Sequence, residues 1–296
     1  MNYLLHLLIL ICLYVALAQS LNLVTGYGGM LSLCHAAFYG LGAYAAALLI
    51  LKADWPFTLS LIAATVGVGL VAWLVSFVAT RLQGDFFVLA TLGFQMITYA
   101  VIYNWVDVTQ GPSGIAGIPR PSFLGVGTTS PGVFFVLALF TAALCCALVW
   151  WLVRSPYGRV LQAVREDQGA ARSLGKDVNA LKRAAFAWAG AIAAIPGVLF
   201  ATYSGYIDPT SFGLEESILI LCILVIGGTG NFRGPIIGAT ILVLLPEVLR
   251  FLYVPDSVGA NLRQILYGLA IVIMMRLRPQ GIAGRYAFDE CRKVTP

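Results

Sequence analysis

The chain reads as long apolar runs broken by short polar stretches. Residues 3–21, 57–80 and 133–153 are apolar almost throughout, and each approaches or exceeds the roughly 20 residues that cross a hydrocarbon core about 30 Å thick. Unpaired backbone groups in lipid are costly, so the crossing elements must be helices or a closed barrel. Barrel strands alternate lipid-facing and lumen-facing residues, and these runs do not alternate. The pattern predicts an all-α polytopic transmembrane helical bundle of about nine spans: 2–21, 31–51, 57–80, 86–104, 132–153, 184–203, 214–229, 235–252 and 262–277. The seventh has a short apolar core, Ile218–Ile226, that runs into Gly227-Gly228, and it predicts a half-helix or broken helix. The segment 105–131 is rich in Gly, Pro and Ser and reads as ordered turns.

Composition agrees. The 296 residues are 60% hydrophobic and 10% charged, against about 25% charged in soluble domains. Five of the six cysteines lie in apolar runs without metal-ligand spacing and read as small packing residues. Ala16-Leu17-Ala18 resembles a signal-peptidase site, but no Lys or Arg precedes it, so the segment reads as the first span.

Charge sets the orientation. The loop 154–183 carries Arg154, Arg159, Arg165, Arg172, Lys176, Lys182 and Arg183, and the tail carries Arg276, Arg278, Arg285, Arg292 and Lys293. Basic residues favour the cytoplasmic side. Loop and tail are therefore expected inside, the N-terminus outside, and 204–216, with Asp208, Glu215 and Glu216 but no Lys or Arg, outside. The net charge of +5 follows from this placement and gives no reason to expect nucleic acid.

The basic loop carries the first candidate chemistry. Connections longer than about 12–15 residues are usually functional or disordered. Residues 164–174 predict a short helix capped by Gly175, with Ala170 and Ala171 as a smooth face and Arg165, Glu166 and Asp167 around it. That is a docking element; the alternative is an ordinary charged loop. His35, Gln95, Asn104 and Asn22 are polar residues in or beside spans. Each faces protein or a cavity, as a structural hydrogen-bonding residue or as a lining of a translocation path. Asp208, Glu215 and Glu216 could contact a basic partner or form a solvated acidic loop. Glu247 and Arg250 read as a helix-end ion pair. Gly26-Tyr27-Gly28-Gly29 and Gly227-Gly228-Thr229-Gly230 both lead into an apolar helix and hint at a parallel duplication.

Ala170-Ala171 and Gly175 resemble the cytoplasmic loop of ABC importer permeases, a Glu-Ala-Ala, three residues, Gly pattern that docks in a groove of the ATPase. Gly169 stands in the place of Glu. A resemblance over nearly the whole chain is carried by Leu21-Asn22-Leu23-Val24-Thr25-Gly26-Tyr27-Gly28-Gly29, Thr109-Gln110-Gly111-Pro112-Ser113-Gly114-Ile115, Ala163-Val164-Arg165-Glu166-Asp167, Gly227-Gly228-Thr229-Gly230 and Arg278-Pro279-Gln280-Gly281. By these motifs the chain is similar to the LivM-like permease subunits of branched-chain amino-acid ABC importers. The resemblance implies a single transmembrane permease domain, 1–296, with a cytoplasmic coupling loop, 155–183, and a cytoplasmic tail, 279–296. It implies a LivH-like second permease, two ABC ATPase subunits, a periplasmic substrate-binding protein, and the bacterial inner membrane. Arg165, Glu166, Asp167, Ala170, Ala171 and Gly175 would then couple to the ATPase, and Asp208, Glu215 and Glu216 would meet the binding protein.

Gly175-Lys176 is followed by Asp177, which cannot serve as the magnesium-binding hydroxyl of a phosphate loop. ATP and Mg are therefore expected on a separate subunit, with no cofactor in this chain. A permease for urea or short amides fits the apolar spans as well. An ion-coupled secondary transporter fits less well, because such proteins need intramembrane charges and the first six spans have almost none.

Overall fold

The computed structural model describes residues 2–251, apart from 83, 124–125 and 128–129, and beyond them 268–269, 272–273, 276 and 280–284. The expected ninth span, 262–277, the tail 279–296 and the Arg250 side chain fall wholly or largely outside the described residues.

The described chain is helical with a few two-residue strands. Its helices are α1 (Asn2–Leu21), α2 (His35–Ala53), α3 (Phe57–Ala79), α4 (Asp85–Asn104), α5 (Val106–Thr109), α6 (Pro131–Arg154), α7 (Pro156–Glu166), α8 (Gln168–Ser173), α9 (Val178–Ser204), α10 (Leu214–Gly227) and α11 (Arg233–Phe251). Among the described residues, seven helical segments are long and apolar enough to cross a membrane, and α11 contributes a shorter apolar stretch, Arg233–Leu245. The polytopic all-α bundle read from the sequence is what forms.

Two helices start elsewhere than the apolar pattern places them, α2 and α9, the latter at Val178 instead of 184. The second helix begins at His35, because α1 continues as a π-helix over Asn22–Tyr27 and the chain then runs without helix to Cys34. The seventh helix is short, as its apolar core predicts: α10 has 14 residues, preceded by a 3-10 turn over Pro209–Phe212. The segment 105–131 contains the single helical turn α5. One of its strands, Ile115–Ala116, pairs antiparallel with Tyr206–Ile207, Ile115 opposite Ile207.

Helix α9 is the axis of the bundle and packs chiefly on α2 and α3. Small residues allow this closeness. A Cβ on Gly42 would lie 2.7 Å from the Ala194 Cα, and one on Gly190 would collide with the Ala72 Cβ. Phe38 fills the space beside these contacts, with its ring 5.5 Å from that of Phe186 and 5.6 Å from that of Phe94. The helices are unequally covered: 78% of the apolar window of α1 and 72% of that of α9 is buried, against 22% for α3 and 28% for α4. Leu59, Ile62, Val66, Leu70, Leu74 and Val78 thus form an apolar face of α3 that no described part of the chain covers.

Candidate coupling loop and polar joints

The loop between α6 and α9 is ordered by its own side chains. Pro156 opens α7, and the Ser155 hydroxyl accepts from the Gly158 N–H at 3.3 Å. Leu161 and Val164 are buried, so α7 lies with one face on the bundle. The Tyr157 hydroxyl donates to the Leu181 carbonyl at 2.9 Å. Burial raises its pKa, which keeps the proton on that donor.

The continuous helix expected over 164–174 is broken at Asp167. This residue is extended (φ −149°, ψ 109°), and its carboxylate accepts from Gly169 N–H at 2.7 Å and Ala170 N–H at 3.0 Å. An aspartate that captures backbone donors two and three residues ahead ends one helix and starts the next. Helix α8 then closes at Gly175 (φ +74°). Gly175 N–H bonds to Arg172 O, and Lys176 N–H to Ala171 O at 3.2 Å, a glycine-capped turn of the kind that Cβ-bearing residues disfavour.

The two alanines separate. Ala171 is buried with Val164 and Val178, while Ala170 is exposed with Glu166, Asp167 and Gly175. Beside them Leu174 stands 79% exposed. In the sequence Leu174 reads as a helix end and, with Gly175, as part of the family resemblance; the signal for its exposure was one large apolar residue at the tip of a charged loop.

Arg165 turns inward. Its guanidinium donates to the Gly26 carbonyl, and its stem lies against Gly29 (φ +68°), where a Cβ would meet the Arg165 Cγ at 2.8 Å. Gly26 belongs to a larger joint. Asn22 Nδ2 donates to Asn231 O at 3.0 Å, and Asn22 Oδ1 accepts from Gly230 N–H at 3.0 Å. Gln19 Nε2 donates to Phe232 O at 2.7 Å. Residues 282 and 283 add backbone bonds to Ile226 and Gly227. The two glycine-rich stretches therefore meet each other, and Asn22 is one of the side chains that join them.

A second joint forms halfway along α4. Gln95 Oε1 accepts from Ala37 N–H at 2.7 Å and from the Ser217 hydroxyl at 3.2 Å, while its Nε2 donates to Phe212 O at 2.8 Å. Ala36 N–H donates to Ser217 Oγ at 3.1 Å, and Leu33 N–H to Thr91 Oγ1 at 3.2 Å. The uncapped N-terminus of α2 is thereby satisfied by side chains of α4 and α10. His35 adjoins this joint, fully buried, with no hydrogen-bond partner for either ring nitrogen among the described residues. Asn104 is elsewhere, exposed and bonded to Ala100 O of its own helix.

The three acids Asp208, Glu215 and Glu216 differ in surroundings. Asp208 accepts from the Thr210 and Ser211 hydroxyls. Partial burial opposes its ionisation, but these hydrogen bonds outweigh burial and hold its pKa below the usual value. Glu216 is half-buried, and only Glu215 is exposed.

Comparison with known proteins follows the same line. The family model described as "Branched-chain amino acid transport system / permease component" matches residues 3–275. The high-affinity branched-chain amino acid transport system permease protein LivM of Escherichia coli (strain K12) is 33% identical over 293 residues, which cover 91% of this chain and 67% of that protein. Its counterpart in Salmonella typhimurium is 32% identical with the same coverage. The autoinducer 2 import system permease protein LsrC of Klebsiella pneumoniae is 33% identical over 176 residues, 57% of this chain and 49% of that protein. No solved structure matches. The chain belongs to the family of branched-chain amino acid transport system permease components.

Proposed function

We propose that this chain is the permease subunit of an ATP-binding-cassette importer that moves branched-chain, hydrophobic amino acids across the bacterial inner membrane. A separate ATPase, which holds ATP and Mg, drives it through the loop 155–183. A LivH-like second permease and a periplasmic binding protein complete the system, and loop and tail face the cytoplasm. The observation that carries this reading is the capped turn α8, with Leu174 exposed at its tip and Ala171 and Arg165 rooted in the bundle. A groove on the ATPase that covers Leu174 would gain about 1.5–3 kcal/mol from that side chain. Movement of the groove would pass through Arg165 to Gly26 and so to α1 and α11. Outward acids, chiefly Glu215, are the contact offered to the binding protein.

The cargo assignment rests on the likeness to LivM. The test is to purify the tagged chain with its neighbours and to measure uptake by vesicles loaded with ATP. Co-purification of an ATPase and a second permease, with uptake of leucine, isoleucine or valine, is the expected result. Uptake of urea alone would move the cargo to small amides, and uptake without any ATPase would overturn the reading.

A further inference from the structure

At the end of the bundle that carries the basic loop, a cavity of about 260 Å³ opens between residues 25–31, the α3–α4 turn and the root of the loop. Lys182, on the second turn of α9, lines it. This residue is 5% exposed, and it makes no hydrogen bond or ion pair with any described residue. Its ammonium opens on the cavity without a counter-charge, and a charged group so confined is normally paired. Two further features bring positive potential to the same space. Arg165 lines the cavity with its stem against Gly29. Helix α4 starts there, at Gly84 and Asp85, without a side-chain cap, so the free N–H groups and the positive end of a 20-residue helix open on it. Asp85 is the one acid of the lining; it is exposed and pairs with no described residue.

We propose that this cavity binds the phosphate of an anionic phospholipid headgroup, with Lys182 as its principal counter-charge. Phosphate free in solution would satisfy the same cations. The surroundings favour the lipid, because apolar side chains continue outward from the rim. Leu82 lines the cavity and is 37% exposed, and Val78 of α3 with Phe86 and Leu89 of α4 extend an uncovered apolar face along which acyl chains can lie. Basic pockets between helices near the membrane surface suit anionic headgroups for this reason. Because Arg165 and Gln168 of the loop also line the cavity, a bound headgroup would bridge the loop to the α3–α4 turn. This inference needs neither the cargo nor the ATPase proposed above.

Native mass spectrometry of the full chain, purified with whatever subunits accompany it, tests the site. The chain is titrated with dioleoyl phosphatidylglycerol, with dioleoyl phosphatidylcholine, and with inorganic phosphate alone. The anionic lipid should bind about tenfold more tightly than the neutral one. Lys182→Met should abolish the difference, Lys182→Arg should keep it, and Asp85→Asn should widen it by removing the repelling charge. A gain in Asp85→Asn cannot arise from misfolding, so the test survives if Lys182→Met does not fold. Equal binding of the two lipids, or a preference unchanged in a folded Lys182→Met, would overturn the proposal. Binding of inorganic phosphate by a chain that ignores lipid charge would assign the cavity to a soluble anion and overturn it too.

Discussion

The guanidinium of Arg165, in the loop between α6 and α9, donates a hydrogen bond to the backbone carbonyl of Gly26 at the far end of α1. The residue that resembles a docking charge in the sequence therefore ties the loop to the membrane helices. Arg165→Ala should leave an ATPase bound yet reduce ATP-driven uptake by about tenfold or more, since a hydrogen bond to a charged group is worth about 1.5–3 kcal/mol. Uptake at the native rate would show that the bond transmits nothing.

Leu174 tests the opposite property. It touches the solvent, so Leu174→Asp should change the unfolding free energy by no more than about 0.5 kcal/mol. Association with the ATPase should weaken by about tenfold or more, because the partner loses the burial of one leucine. Equal co-purification of native and variant chains would remove Leu174 from the contact.

Gln95→Leu should destabilise the fold. It strands the Phe212 carbonyl and takes the acceptor from the Ser217 hydroxyl, while Ala37 N–H keeps Cys34 O, at about 1–3 kcal/mol for each group left unsatisfied. The readout that separates a joint from a path lining is the KM for cargo in the variant that still folds, which should be unchanged. A selective rise in KM with native thermal stability would return Gln95 to the path.

Asp208 predicts a pH dependence. Its carboxyl is held below the usual range by the Thr210 and Ser211 hydroxyls, so the folded state favours the ionised form. That contribution is present above the unfolded pKa, about 3.9, and is lost as pH falls through the lower folded value. Thermal unfolding midpoints of Asp208→Asn should fall less than those of the native chain below about pH 4. Parallel curves would refute the assignment.

Much of the fold was written in the apolar runs. The spans read at 2–21, 57–80, 86–104 and 132–153 agree with α1, α3, α4 and α6 to within a residue or so, because each run has the length the membrane demands and a polar stop at each end. The late start of α2 was hidden, since residues 28–34 are as apolar as a helix, and only the tertiary bonds to Thr91, Gln95 and Ser217 make a helix start at His35 affordable. The break at Asp167 was hidden for a local reason: Glu166-Asp167-Gln168 suits a helix interior by composition, and the carboxylate decides otherwise. The exposed side of the loop was half legible. Ala170 and Ala171 read together as one smooth face, and only Ala170 is exposed; the inward turn of Arg165 depends on a backbone carbonyl that no spacing rule brings near.

Apart from Asn22 Oδ1, the joint around Gly26 uses backbone acceptors, met by side-chain donors of Arg165, Asn22, Gln19 and Asn231 and by the N–H groups of residues 282 and 283. These acceptors are the carbonyls of Gly26, Ile226, Gly227, Asn231, Phe232 and Ala283, and a methyl group on Gly26 would overlap Asn22 and come within 2.7 Å of Gly230 N. Carbonyls are the same whatever residue bears them. Close approach of backbones is what the clasp depends on: a Cβ on Gly227 would overlap Gly234 O and one on Gly228 would overlap Gly284 N, so one added carbon at Gly26, Gly227 or Gly228 would spring it open.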